Sequence, residues 1–115
     1  MKILRALIIA FVMVLSSGRV YSAEHTLVMH HMELEEITMP VRVGDVINFD
    51  NRSDMTHNLY VTYSDGTVDN LDTQVPGMQR KLTLRVAGPA VIKCWIHPII
   101  RLEMEIAPGD APAAP

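Results

Sequence analysis

The sequence predicts an all-β protein, a Greek-key β-sandwich of about seven to eight short strands. Several stretches alternate apolar and polar residues, residues 81–86 and 101–106 most clearly. Turn signals such as Gly44-Asp45, Pro76-Gly77 and Gly88-Pro89 separate them, and no convincing helical period follows residue 23. Residues 67–73 are predicted as one irregular turn. The predicted strands are residues 26–31, 37–43, 46–51, 58–63, 81–86, 90–94 and 102–106.

Residues 1–23 have the layout of a secretory signal peptide. Lys2 and Arg5 supply positive charge, residues 6–15 are apolar throughout, and residues 16–23 are rich in small side chains. An apolar run of this length falls short of the roughly 20 residues that span a bilayer. The sequence therefore predicts export to the periplasm and no membrane attachment after cleavage. Cleavage after Ser22 and cleavage after Ala23 both remain open.

One domain is expected to occupy residues 24–107, followed by a disordered tail at residues 108–115, which consists almost entirely of Pro and Ala. The leader contains three of the ten basic residues and none of the thirteen acidic ones, so seven basic residues remain against thirteen acidic. This acidic balance argues against a nucleic-acid partner. A monomer is the expectation for a small acidic protein of this kind.

The single cysteine, Cys94, limits the chemistry of an exported chain. It cannot form an internal disulfide, and a free thiol in an oxidising compartment is prone to oxidation unless it is buried or bound. A metal is the simplest protection, because the thiolate is a metal ligand and coordination deprotonates it.

Three residues form the candidate metal site. Cys94 and His97 are three residues apart on a predicted loop between two strands, and His57 follows a polar turn at the start of another strand. Loops at one end of a sandwich can bring His57 over the Cys94–His97 loop. Two imidazoles and one thiolate are the ligand set of a blue-copper electron-transfer site, in which copper alternates between Cu(I) and Cu(II).

Together, residues 43–51 (VGDVINFDN), His57-Asn58 and residues 94–98 (CWIHP) resemble the cupredoxin family, nearest to its amicyanin, pseudoazurin and plastocyanin branches. The resemblance covers nearly the whole chain after the leader. It implies a single-electron carrier between periplasmic redox proteins. It also implies that Asn58 ties the ligand loops together through hydrogen bonds and that Pro98 stiffens the loop.

The resemblance fails at the axial ligand. The amicyanin-like pattern places a methionine three residues after the second histidine, and this chain has Ile100 there. Met104 is the alternative, although it shares the core face of the last predicted strand with Leu102 and Ile106. With Ile100 as a non-coordinating axial residue, we expect a raised reduction potential.

Three further histidines are candidates for a second copper site: His25, His30 and His31. If cleavage follows Ser22, the new amine, two amides and the His25 imidazole can form a square-planar nitrogen site suited to Cu(II). Core or exposed structural roles are the alternative for all three histidines.

Three other functions compete with electron transfer. Copper handling (storage, delivery or resistance) would use the same site and pass copper to acceptor proteins. A cysteine enzyme with His97 as base is disfavoured, because the short spacing leaves no orienting third group, and the chain is predicted not to be an enzyme. The third is a plain interaction module in which Cys94 is merely buried.

Overall fold

A computed structural model describes residues 22–37 and 40–109. These residues form nine β-strands and no helix, which confirms the all-β prediction. Accordingly, no helix in the described part of the chain has the length and apolarity to cross a membrane. The strands are β1 (Glu24–His30), β2 (Glu33–Leu34), β3 (Val41–Arg42), β4 (Val46–Asn51), β5 (His57–Thr62), β6 (Val68–Gln74), β7 (Gln79–Thr83), β8 (Gly88–Cys94) and β9 (Arg101–Ala107).

The strands form two sheets around one hydrophobic core. The four-stranded sheet has the order β2-β1-β4-β7, and the five-stranded sheet has the order β3-β9-β8-β5-β6. β1 pairs with β4, and β3 with β9, in parallel; the other pairs are antiparallel. Both sheets contribute side chains to the core, Phe49 and Ile47 from one and Leu59 and Ile92 from the other.

The ligand-bearing strands β5 and β8 are neighbours in the five-stranded sheet. Their residues alternate between buried and partly exposed positions, as expected for strands with one face on the core. The antiparallel register pairs Leu59 with Cys94. The beginning of β5 and the end of β8 therefore meet at the same end of the sandwich.

The predicted irregular turn at residues 67–73 is wrong, because most of this segment lies in β6. The segment is rich in Asp and Asn, which favour turns, but pairing with β5 satisfies its backbone and Leu71 is buried in the core. The prediction of a strand over residues 37–43 was too long, because among the described residues of this segment only Val41 and Arg42 are in a strand. β2, a two-residue strand, was not predicted.

Most of the predicted signal peptide, residues 1–21, and most of the predicted tail, residues 110–115, lie outside the described residues. Gly109 is described and lies against Val43: a Cβ at Gly109 would be 2.8 Å from the Val43 carbonyl oxygen. The lack of a side chain allows this close approach.

Candidate metal centre

His57 is the first residue of β5, and its side chain is fully buried. Its Nε2 lies 2.9 Å from Ser53 Oγ, which in turn lies 2.6 Å from Asn51 Oδ1. Since the Asn51 oxygen only accepts, the Ser53 hydroxyl donates to it and the His57 Nε2–H donates to Ser53. This arrangement leaves His57 Nδ1 unprotonated. Nδ1 is buried and has no hydrogen-bond partner.

Asn51 holds the turn that carries Ser53. Its Nδ2 donates to the carbonyl oxygens of Met55 and Gln74, each at 2.9 Å, and its Oδ1 also accepts the Ser53 backbone N–H at 3.0 Å. These bonds fix the polar turn between β4 and β5, so the His57 ring is oriented through a chain of hydrogen bonds that begins at Asn51.

Cys94 is the last residue of β8 and is buried. The backbone N–H of Asn58 donates to Cys94 Sγ at 3.4 Å, and the backbone N–H of Trp95 donates to the Asn58 carbonyl oxygen at 2.9 Å. The two ligand-bearing segments are thus tied together through the backbone of Asn58.

His97 lies in the loop that joins β8 to β9, and it is only half buried. Its Nδ1 is 3.8 Å from Cys94 Sγ, and its ring centroid is 5.0 Å from that of His57. The backbone N–H of Ile100 donates to the His97 carbonyl oxygen at 3.0 Å and closes a tight turn. Pro98 lies within this turn, where its fixed φ limits the loop.

The three side chains are close enough to share one ion. One ligand atom from each of His57, Cys94 and His97 lies within 4.8 Å of the other two. Nitrogen and sulfur ligands bind metals at about 2.0–2.3 Å, so in a trigonal plane they are about 3.7 Å apart. The observed separation of 3.8 Å between Cys94 Sγ and His97 Nδ1 fits that spacing.

The protonation state of His57 also suits metal binding. Burial is the main cause that lowers the pKa of His57, and the nearby His97 lowers it further. The imidazole is therefore held in its neutral form, which is the form that binds metals. The buried Nδ1 without a partner, the neutral ring and the adjacent thiol together fit copper, whose type 1 sites use this donor set.

The structure places the two axial candidates differently. Ile100 is 2% exposed and packs into the core beside the ligand loop. Met104 pairs with Ala90, four residues before Cys94 on β8, which corresponds to about 13 Å along the strand.

The other histidines do not share a cluster. His25 contacts Asp45 at 3.0 Å, His30 contacts Glu35 at 2.7 Å, and His31 contacts Asp54 at 3.4 Å. Each is thus engaged with a different carboxylate. Within the described residues, the group formed by His57, Cys94 and His97 is the one set of His, Cys, Asp or Glu with metal-binding spacing.

Sequence reasoning missed Ser53, Asn51 and Gln74. All three are buried polar residues beside His57; Gln74 pairs with His57 across the sheet and donates through Nε2 to the Phe49 and Met78 carbonyl oxygens, each at 2.8 Å. The sequence offered one signal for Ser53, which lies in a polar turn four residues before the candidate ligand His57. Such turns are ordinarily exposed, so the signal did not indicate a buried hydrogen bond.

The loop around His97 presents an apolar surface, defined by Trp95, Ile96 and Ile99, which are 59%, 51% and 76% exposed. Trp95 stacks on Tyr60 with ring centroids 4.0 Å apart, and its Nε1 donates to Asn70 Oδ1 at 3.0 Å. Ile100, the residue after Ile99, is buried and contributes nothing to this surface.

Solved structures of amicyanin share this fold. One oxidised amicyanin variant superposes with a TM-score of 0.62 and 22% identity, over 72% of this chain and 81% of that one. A reduced variant gives the same TM-score at 21% identity, over 79% of this chain and 94% of that one. The chain thus has the fold of amicyanin, and its His57, Cys94 and His97 side chains have the spacing of a metal site.

No protein-family model matches the chain, but curated relatives do. The methylamine utilization protein MauL of Methylorubrum extorquens is 43% identical over 106 residues, which cover 90% of this chain and 93% of the relative. MauL of Methylophilus methylotrophus is 39% identical over 70% of this chain and 47% of its own length. MauL of Methylobacillus flagellatus is 37% identical over 78% of this chain and 62% of its own length. The chain belongs to the MauL family.

Proposed function

We propose that the protein is an exported carrier of single electrons that binds one copper ion through His57 Nδ1, Cys94 Sγ and His97 Nδ1. The observation that carries this proposal is the buried His57 Nδ1, which has no hydrogen-bond partner and faces a site shared with a thiol and a second imidazole. A buried polar atom without a partner is costly, and a metal ion would supply one.

Copper in such a site alternates between Cu(I) and Cu(II). The soft Cys94 thiolate suits Cu(I), and the imidazoles serve both oxidation states. The residues around the site limit its rearrangement: Ser53 orients the His57 ring, and the Asn58 backbone ties Cys94 to β5. Half-buried His97 provides the path to the surface, where Trp95, Ile96 and Ile99 offer an apolar docking face.

The partner is proposed to be a redox protein that serves methylamine utilization, the process named for the MauL relatives. The excess of acidic over basic residues in the chain suits docking to a partner whose apolar contact surface is surrounded by basic residues. We place the exchange in the periplasm, because the first 23 residues predict export. In this proposal the chain is a monomer and catalyses no reaction of its own.

The proposal is tested by adding Cu(II) to the purified apoprotein and recording the visible spectrum and the bound copper. We expect one copper per chain and an intense thiolate-to-copper band. The His57→Ala variant should lose this band, whereas the matched control His31→Ala, which changes an exposed histidine paired with Asp54, should keep it. A colourless wild-type protein would contradict the proposal.

A second candidate function, copper delivery, is favoured by a cavity of about 640 Å³ between residues 30–34 and 99–101. It places the exposed donors of His31 and Met32 beside the loop that carries His97. Transfer kinetics separate the two functions: an electron carrier keeps its copper in the presence of an apo acceptor while it exchanges electrons rapidly. Rapid loss of copper to that acceptor would favour delivery.

A further inference from the structure

Asp45 is a buried carboxylate far from the metal centre. It is 1% exposed and lies in the turn before β4. Oδ1 accepts the backbone N–H of Ala23 at 2.9 Å, and Oδ2 accepts the backbone N–H of Arg42 at 3.1 Å and contacts His25 Nε2 at 3.0 Å. Burial raises the pKa of Asp45, but the hydrogen bonds from Ala23, His25 and Arg42 outweigh that effect and lower it.

A buried carboxylate is stable when a cation compensates it, and simple amides are weaker partners. In the uncleaved chain Ala23 offers only a neutral amide. If the chain began at Ala23, the same nitrogen would be an α-ammonium group 2.9 Å from Asp45 Oδ1. The carboxylate would then face a full positive charge at the distance typical of a charge-assisted hydrogen bond.

The sequence before Ala23 agrees with cleavage at that point. Ser22 is a small residue at the position just before the cut, and Val20 stands two residues earlier. Cleavage one residue later would place the bulky Tyr21 third from the cut and would remove Ala23, the donor to Asp45 Oδ1.

We propose that signal processing cleaves the Ser22–Ala23 bond and that the α-ammonium group of Ala23 forms a buried ion pair with Asp45. Cleavage adds water across this peptide bond, and the released amine takes up a proton. The ion pair anchors the start of β1 to the start of β4, where the Val46 N–H already donates to the Ala23 carbonyl oxygen at 2.9 Å.

The ion pair excludes the square-planar Cu(II) site considered for His25. That site would need the Ala23 amine, two backbone amides and the His25 ring to turn toward one ion. Here Asp45 holds both the amine and the ring, and β1 is paired with β4 from Glu24 onward.

The first test is the mass of the exported protein. We expect a chain that begins at Ala23 and binds no Cu(II) at its amino terminus. A chain that begins at Glu24, or at any other residue, would overturn the proposal. This result does not depend on whether the His57 site carries electrons.

The second test compares the melting temperatures of two apoproteins released from a cleavable tag, one beginning at Ala23 and one extended by Ser22. The extension keeps the Ala23 N–H but moves the charge away by one residue. We expect the Ala23 form to melt about 4–8 °C higher. The difference should vanish in Asp45→Asn and persist in Glu24→Gln, which removes an exposed carboxylate next to the terminus. Equal melting temperatures of the two wild-type chains would overturn the ion pair, even if Asp45→Asn fails to fold.

Discussion

Buried polar groups lie near both ends of strand β4, but they differ in whether hydrogen bonds satisfy them. At its start, each oxygen of the Asp45 carboxylate is engaged, by Ala23, Arg42 and His25. At its end, about 20 Å away, Asn51 begins a hydrogen-bond chain that reaches His57 through Ser53, and there the chain stops: His57 Nδ1 is buried without a partner.

This difference separates a structural polar cluster from a functional one. Among the described residues, Asn48 Oδ1, Gln74 Oε1 and Arg80 Nε are also buried without a partner. His57 Nδ1 differs from these atoms because it lies within metal-ligating distance of a thiol and a second imidazole, so a metal ion can supply the partner that it lacks. At the Asp45 end, both carboxylate oxygens have hydrogen-bond partners. The same chain can therefore satisfy a buried polar group with its own atoms where no ligand is needed.

The largest effect is expected at Cys94. Cys94→Ala should abolish the intense visible band and the stabilisation by copper, which for the wild type amounts to about 2.7 kcal/mol when copper exceeds its dissociation constant a hundredfold. Spectra and melting curves with and without copper measure both. Met104→Leu, a volume-conserving change on β9, is the control and should retain the band. A shift of the band or of the reduction potential in this control would indicate that Met104 contacts the metal.

Ser53→Ala should weaken the site without removing a metal ligand. The buried His57 Nε2–H loses its acceptor, which costs about 1–3 kcal/mol of stability, and copper affinity should fall about 10–100-fold. Chemical denaturation and copper competition measure the two effects. Ser64→Ala, which removes an exposed hydroxyl that donates to the Ala87 carbonyl oxygen, should leave the copper affinity unchanged. Equal affinities in Ser53→Ala and the wild type would show that the hydrogen-bond chain does not orient His57.

Ile100→Met tests the axial side of the site. A thioether three residues after His97 should stabilise Cu(II) relative to a bare axial side and lower the reduction potential. We expect a drop of at least about 59 mV, a tenfold change in a one-electron equilibrium. Voltammetry measures it, with Ile96→Met at the exposed rim as the matched control. An equal or higher potential in Ile100→Met would refute the axially bare site.

The smallest effect concerns Tyr63, just beyond β5 at the end away from His57. Burial, followed by the hydrogen bond to Asp69, raises the pKa of Tyr63 to about 12. An unfolded tyrosine ionises near pH 10, so the folded protein should lose stability as the pH rises from about 10 to 12.

Tyr63→Phe should remove this alkaline dependence and lower stability at neutral pH by about 1 kcal/mol, because a neutral hydrogen bond is lost. Denaturation at several pH values measures both effects, with Tyr60→Phe as the control that keeps the alkaline loss. Copper affinity should not change in either variant. A changed affinity in Tyr63→Phe would mean that the two ends of the sandwich are coupled.

The sequence was sufficient for the fold class and for the three residues that form the metal-spaced cluster. Cys94, His97 and His57 are chemically rare residues in a mostly apolar and acidic chain, so their spacing carries information. The sequence positions of Ser53 and Asp45 give no such information, because both residues lie in turn sequences, whose residues are usually exposed. Their roles depend on burial, which is decided by contacts between distant segments.

β6 illustrates the same limit for secondary structure. Its sequence, VDNLDTQ, has the local preferences of a turn, and a bulge interrupts its pairing with β5. Strand formation there follows from partners across the sheet and not from local propensity. Likewise, Gln74 is buried because it fills the space next to His57, which no pattern within β6 reveals.

The parallel pairing of β3 with β9 has a consequence for how the protein folds. It joins Val41 to Ile106, two residues from opposite parts of the chain. Contacts so far apart in sequence favour folding in milliseconds to seconds. Because His97 lies in the connection between β8 and β9, the pairing of these two strands fixes the position of its imidazole. The complete donor set therefore depends on that pairing, and copper held by all three ligands is expected to stabilise it.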